Sequence, residues 1–158
     1  MAEDLNIQSG TKQEQYEALI PQIAGLLQGE TNLIANLANI SAALKEQFNW
    51  WWVGFYWIHE DELVLGPFQG PVACTRIKKG RGVCGSAWEK GATIIVDDVE
   101  KFPGHIACSS ASKSEIVVPV FDKGNIVGVL DVDSAHLSDF DEIDQLYLEK
   151  LLLFDLRQ

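Results

Sequence analysis

The chain has no long run of basic residues, no apolar stretch long enough to cross a bilayer, and only three cysteines, Cys74, Cys84 and Cys108. Each scarcity removes a class of function. Twelve Lys and Arg stand against 23 Asp and Glu, for a net charge of −11, and without a basic patch there is little to grip a phosphate backbone, so nucleic acid is not an expected partner. Apolar runs reach only about ten residues where a spanning helix needs about 20, and no charged-then-apolar leader precedes them, so a protein of the cytoplasm with no membrane contact is expected. An odd number of thiols in a reducing compartment cannot form a disulfide framework, which leaves redox chemistry, metal ligation or packing as their use. Their spacings, ten and then 24 residues, match no compact zinc pattern such as paired C-x-x-C, and no metal is expected.

What is present suits one domain spanning 1–158. At 158 residues and 47% hydrophobic composition, the chain can bury roughly two-thirds of the surface it exposes when unfolded. Thr11 with Glu14 forms a possible capping box ahead of Tyr16, Leu19, Ile20, Ile23 and Leu27 at helical spacing, with Pro21 inside it as a possible kink. A second helix should follow Thr31, its stripe running Leu33, Ile34, Leu37, Ile40, Leu44 and Phe48 before Asn49 ends it. The pattern then switches to strands: Trp50 to Ile58, Glu62 to Pro67 and Val72 to Ile77. Gly80, Gly82 and Gly85 bracket a loop into a short helix near Ser86 to Lys90, and Thr93 to Val96 is a further strand. Glu115 to Phe121 and Ile126 to Asp133 read as a hairpin, and Ser138 with Asp141 as the cap of a closing helix. The expected class is α+β: a mostly antiparallel central sheet, N- and C-terminal helices on one face, and a loop-built pocket on the other.

The hairpin can be counted. If Asp122, Lys123 and Gly124 form a three-residue loop, Glu115 lies opposite Asp131 and shares its face, and Asp133 joins them by the period-two rule. Each like-charged pair at about 5 Å costs about 3 kcal/mol at an effective dielectric near 20, so a sheltered cluster needs a proton or a cation, such as an ammonium group. A wet face of solvated acids is the alternative, and a two-residue turn would flip Glu115 away and dissolve the cluster. Three carboxylates also suit a hard metal ion, although no dense oxygen-ligand loop accompanies them. By alternation Trp50, Trp52 and Tyr56 share one strand face while Trp51, Val53, Phe55 and Trp57 share the other, so one set can be core and the other can wall a pocket. Cys84, between glycines at a helix start, is placed where thiolate character is favoured, and Cys108 has His105 three residues before it. Burial as a small hydrophobe is the alternative for each cysteine.

The segments Cys74-Thr-Arg-Ile, Gly80-Arg-Gly-Val-Cys84-Gly, Phe102-Pro-Gly-His-Ile-Ala-Cys108 and Ser114-Glu-Ile-Val-Val-Pro-Val resemble the free methionine-(R)-sulfoxide reductases, enzymes built on a GAF domain. The resemblance runs from about Gln13 to Leu152 and includes Trp52-Val-Gly-Phe-Tyr56 and Gly128-Val-Leu-Asp131-Val-Asp133-Ser. It implies a free methionine sulfoxide substrate whose charged amino group meets Glu115, Asp131 and Asp133, with Trp52 and Tyr56 as further contacts and Trp52 at the methyl end. It also implies Cys108 as the catalytic thiol, Cys74 as its disulfide partner after turnover, Cys84 as an auxiliary redox position, thioredoxin as reductant and no bound cofactor. Ser109 departs from the acidic residue expected after Cys108, and Lys78 and Lys79 are more basic than the usual pair. A GAF module that senses a small molecule or redox state without turnover is the alternative function. The apolar stretch Leu146 to Leu152 also suits a helix-mediated homodimer.

Overall fold

The computed structural model describes residues 4–105 and 110–156. Two helices come first, α1 (Lys12–Leu27) and α2 (Leu33–Phe48). The Thr11–Glu14 capping box forms in both directions, with Glu14 N–H donating to Thr11 Oγ1 at 3.2 Å and Thr11 N–H to Glu14 Oε2 at 2.8 Å, and α1 continues through Pro21. Asn49 ends α2 in the left-handed conformation, φ 52°, a position Asn tolerates better than most side chains. Of the predicted α2 stripe, Leu37, Ile40 and Leu44 are buried, whereas Ile34 faces solvent.

Six strands follow: β1 (Trp52–His59), β2 (Glu62–Gln69), β3 (Arg76–Lys78), β4 (Ile94–Val96), β5 (Ser114–Asp122) and β6 (Asn125–Ser134). Their order across the sheet is β3-β2-β1-β6-β5-β4, and every neighbouring pair is antiparallel. The third strand is shorter than the expected Val72 to Ile77: its pairing with β2 begins only at Arg76, just after the Thr75 carbonyl, which accepts from Leu65 N–H at 3.0 Å. Helix α3 (Gly82–Lys90) begins four residues before the expected start at Ser86, and α4 (Glu142–Leu151) closes the fold. The cap of α4 is Asp141, whose carboxylate accepts from the N–H groups of Ile143 and Asp144. Ser138, the expected cap, lies three residues outside it at φ 51°.

The sheet separates two apolar layers. On one face α1, α2 and α4 pack on Val53, Phe55, Ile116, Val118, Leu130 and Val132, forming the larger core. On the other face Trp52, Tyr56, Val117 and Val129 meet Val83, Cys84 and Ala87 of α3. Residues of one strand alternate between the layers, as period two requires. Trp50 and Trp51 break the expected alternation because β1 starts only at Trp52. Trp50 joins the helix-side core, stacked on Phe48 at 4.3 Å between ring centroids, while Trp51 packs on the opposite side with Trp52.

The β5–β6 hairpin departs from the counted register in an instructive way. Asp122 pairs with Asn125, so the turn holds only Lys123 and Gly124, with φ 49° and 80°, the positive pair of a type I′ turn. That turn alone would put Glu115 on the wrong face. One register shift, between Val120 and Phe121, restores the parity: Phe121 pairs with Ile126 but Val120 with Gly128, so Val127 is the extra residue of a bulge. Beyond it Glu115 lies opposite Asp133, and Val117 opposite Asp131. The expected Glu115–Asp131 pairing is therefore corrected by two residues, and the three acids still share one face.

Candidate active site

Glu115, Asp131 and Asp133 project from the sheet into a pocket lined also by the start of α3, by Val72 and Ala73, and by His105 and Ser112. Glu115 and Asp131 are only 6% and 7% exposed. Burial first, then the neighbouring carboxylates, pushes the Glu115 and Asp131 carboxyls well above the usual range. A proton held between them relieves the repulsion of like charges. Asp133 accepts a hydrogen bond from Ser112 Oγ, which partly offsets its burial, and its pKa is raised to about 6. Asp131 Oδ1 is buried without a hydrogen-bond partner, a costly state for an acceptor that nothing fills.

An aromatic wall stands beside the acids. The Trp52 indole N–H donates to Pro71 O at 3.0 Å and the Tyr56 hydroxyl to Cys74 O at 2.9 Å, so both rings are fixed at their polar ends. Trp52 stacks on Phe68 at 5.3 Å and 16° between planes. Gly54, two residues along, makes that placement possible: a Cβ there would lie 2.5 Å from the Trp52 ring and 2.4 Å from Phe68 Cβ. Gly54→Ala is expected to destabilise the protein by about 1–3 kcal/mol and to raise KM for whatever ligand rests on Trp52; denaturant melts and a substrate titration check both effects. Unchanged stability would show that the ring moves aside at no cost.

The cysteines have different surroundings. Cys74 is disulfide-bonded, and its backbone carbonyl is the one held by Tyr56. Cys84 is a free, buried thiol in the first turn of α3, with Sγ 4.0 Å from Glu115 Oε1. Burial first, then Asp131 and Glu115, pushes its pKa well above the ordinary value. The expected thiolate character is thus reversed: the favourable helix end is outweighed by desolvation and two nearby acids. Cys108 lies outside the described residues.

Against known proteins, the GAF domain family matches residues 32–152. The GAF domain-containing protein A of Dictyostelium discoideum is 70% identical over 96% of this chain and 97% of its own. The free methionine-R-sulfoxide reductase of Escherichia coli is 47% identical over 89% of this chain and 86% of its own. The X-ray structure of the free methionine-R-sulfoxide reductase of Neisseria meningitidis, in complex with its substrate, superposes with a TM-score of 0.93 at 56% identity, covering 96% of this chain and 92% of that one. The chain belongs to the free methionine-R-sulfoxide reductase family.

Within this GAF-domain family the expected α+β arrangement is the observed one. The structure brings Trp52, Tyr56, Cys84, Glu115, Asp131 and Asp133 to one pocket, with Cys74 packed beside it. Trp51, Ser112 and Arg81 also line the pocket and are not among the expected site residues. Trp51 reaches the pocket through the bend before β1, Ser112 through a loop that folds back on Asp133, and Arg81 because it immediately precedes α3. Arg81 carried a signal in its place between two glycines ahead of a helix, and Trp51 in the aromatic run, whereas Ser112 carried none.

Proposed function

We propose that this chain reduces free methionine-(R)-sulfoxide to methionine with Cys108 as the nucleophile, Cys74 as the resolving thiol and thioredoxin as the dithiol that restores both. The observation that supports it most is one pocket holding three sheltered acids, a fixed indole and a cysteine-bearing wall. The acids suit an ammonium group and the Trp52 face suits a methyl thioether end. In the first step the Cys108 thiolate attacks the sulfoxide sulfur while a carboxyl of the Glu115–Asp131 pair gives its proton to the oxygen. The S–O bond breaks, methionine leaves, and Cys108 becomes a sulfenic acid, which carries the two-electron oxidation. Condensation with the Cys74 thiol releases water and forms a disulfide, and exchange with a reduced dithiol returns both thiols. That Cys74 is disulfide-bonded while Cys84 is free supports Cys74 as the resolving residue, and Cys84 as an auxiliary one.

In this role residues 1–158 act as one GAF domain in the cytoplasm, where reduced thioredoxin is available. No helix among the described residues is long and apolar enough to cross a membrane. The exposed Leu146 and Leu153 support helix-mediated pairing of two copies, which sedimentation would reveal.

The decisive assay is consumption of free L-methionine-(R)-sulfoxide with a thioredoxin system, beside the S-epimer and a peptide-bound sulfoxide. Loss of the free R-epimer alone is expected. No turnover of any of them would leave a GAF module that binds without reacting.

A pH dependence follows from Asp133. Its pKa of about 6 is raised by burial, so below pH 6 it turns neutral and no longer attracts an ammonium. KM should rise as pH falls from 7 to 5. Stability should move the opposite way: a carboxyl whose folded pKa exceeds its unfolded one binds protons on folding, so the empty protein gains stability as pH falls through 6 towards about 4. A KM that stays level over this range would remove Asp133 from ammonium recognition.

A further inference from the structure

Cys84 has no required task in the two-cysteine cycle proposed above, yet its position is unlike that of a thiol that fills space. Its sulfur and one carboxylate oxygen each of Glu115 and Asp131 lie within 4.8 Å of one another, all three residues buried. A bound ammonium would use the oxygens and has no need of a sulfur. Packing would be served by an apolar side chain that sets no weak acid against two carboxyls. Asp131, 7% exposed, also lines the pocket and carries a buried oxygen, Oδ1, without a hydrogen-bond partner. The arrangement exists with Cys74 held in a disulfide, so Cys84 is a free thiol even when Cys74 is not.

We propose that Cys84, Glu115 and Asp131 form a site for a borderline-soft divalent cation of the Zn²⁺ type, which occupies the substrate pocket and excludes the substrate's ammonium group. One thiolate and two carboxylates make three protein ligands, with the fourth position open towards the pocket, and sulfur among them selects against Mg²⁺ and Ca²⁺. Tetrahedral bonds of about 2.0–2.3 Å place donors about 3.5 Å apart, so these side chains must close by about 1 Å, less than a rotamer change. Binding forms an S–metal bond as the Cys84 S–H loses its proton to solvent, and the proton held between the carboxyls leaves as well; no electrons are exchanged. The ligands come from α3, β5 and β6, which is why cysteine spacing cannot reveal the site. The inference goes beyond the reductase reading and shares with it only the pocket.

The test uses oxidised protein with its disulfide intact and no reductant, dialysed against Zn²⁺ and, separately, Co²⁺. One ion per chain is expected, with a sulfur-to-cobalt charge-transfer band. Cys84→Ser should abolish the band and weaken Zn²⁺ binding by roughly tenfold or more. Asp131→Asn should weaken binding while keeping the band, and decides the matter if the cysteine variant does not fold. Free methionine-(R)-sulfoxide should raise the apparent Kd for Zn²⁺. Absence of Zn²⁺ binding, unchanged affinity in both variants, or cobalt bound without the band would overturn the proposal. Turnover is measured apart, on reduced protein in chelator: zinc binding without turnover defeats the reductase reading alone, and turnover without zinc binding defeats the cation site alone.

Discussion

Cys108→Ser is expected to reduce consumption of free methionine-(R)-sulfoxide to background while the protein keeps its fold. A serine hydroxyl is scarcely ionised at neutral pH and cannot carry the sulfenic acid on which the later steps depend. Cys74→Ser should behave differently: one methionine per chain in a rapid burst, then arrest. Cys84 should rescue that arrest only slowly, because burial and two carboxyls hold its thiol protonated. Rapid quench with methionine quantification separates the burst from the steady state, and a sulfenic-acid reagent should label the arrested Cys74→Ser protein. Full activity in Cys108→Ser would sink the assignment of the nucleophile. A Cys74→Ser protein that cycles at the parent rate would transfer the resolving role to Cys84.

Lys12→Met should destabilise the fold strongly, although Lys12 is remote from the pocket. Its ammonium reaches Asp144 Oδ2 at 2.5 Å and Asp141 Oδ2 at 3.2 Å, and donates to the Asp139 carbonyl at 3.0 Å. Asp144 is fully enclosed and also accepts from the Tyr16 hydroxyl at 2.7 Å, so this cluster ties α1 to α4 across the helix layer. Burial already raises the Asp144 carboxyl, with Lys12 and Tyr16 opposing the shift. Without the ammonium a buried carboxylate stands uncompensated, at a cost of about 3 to 5 kcal/mol, or roughly 10 °C in Tm for a domain of this size. The deficit should shrink as pH falls and Asp144 takes a proton, since the neutral acid no longer needs the cation. Calorimetry from pH 7 to 4 measures both, and adding Asp144→Asn should recover part of the loss. A Tm change under about 2 °C would mean that the pair contributes no more than a surface ion pair.

Local signals carried much of the fold. The Thr11–Glu14 box, the Asn49 stop and the switch from helical to alternating spacing after residue 50 all concern residues a few positions apart, where sequence distance and spatial distance agree. Local signals do not suffice where a choice between nearly equal local solutions is made by distant partners. Ser138 and Asp141 are both competent caps, and the one chosen lets Asp144 meet Lys12 and Tyr16. Trp50 and Trp51 can each face either layer, and the strand begins after them because Trp50 stacks on Phe48 and against Phe140.

The acid cluster shows the same division most clearly. The residue types, the motifs around three cysteines and the hairpin were legible from the sequence alone, and with them the α+β class, the family and a set of chemically capable side chains. Only the tertiary structure decided that a two-residue turn and a bulge at Val127 cancel in parity, placing Glu115 opposite Asp133 on the Asp131 face. Only it decided that Cys84, whose helix end favours a thiolate, is instead enclosed with two acids and kept protonated. Sequence determines periodicity and local caps because those energies act over a few residues. Register parity, desolvation and the encounter of side chains from α3, β5 and β6 belong to the closed sheet, and exist only once distant segments have packed.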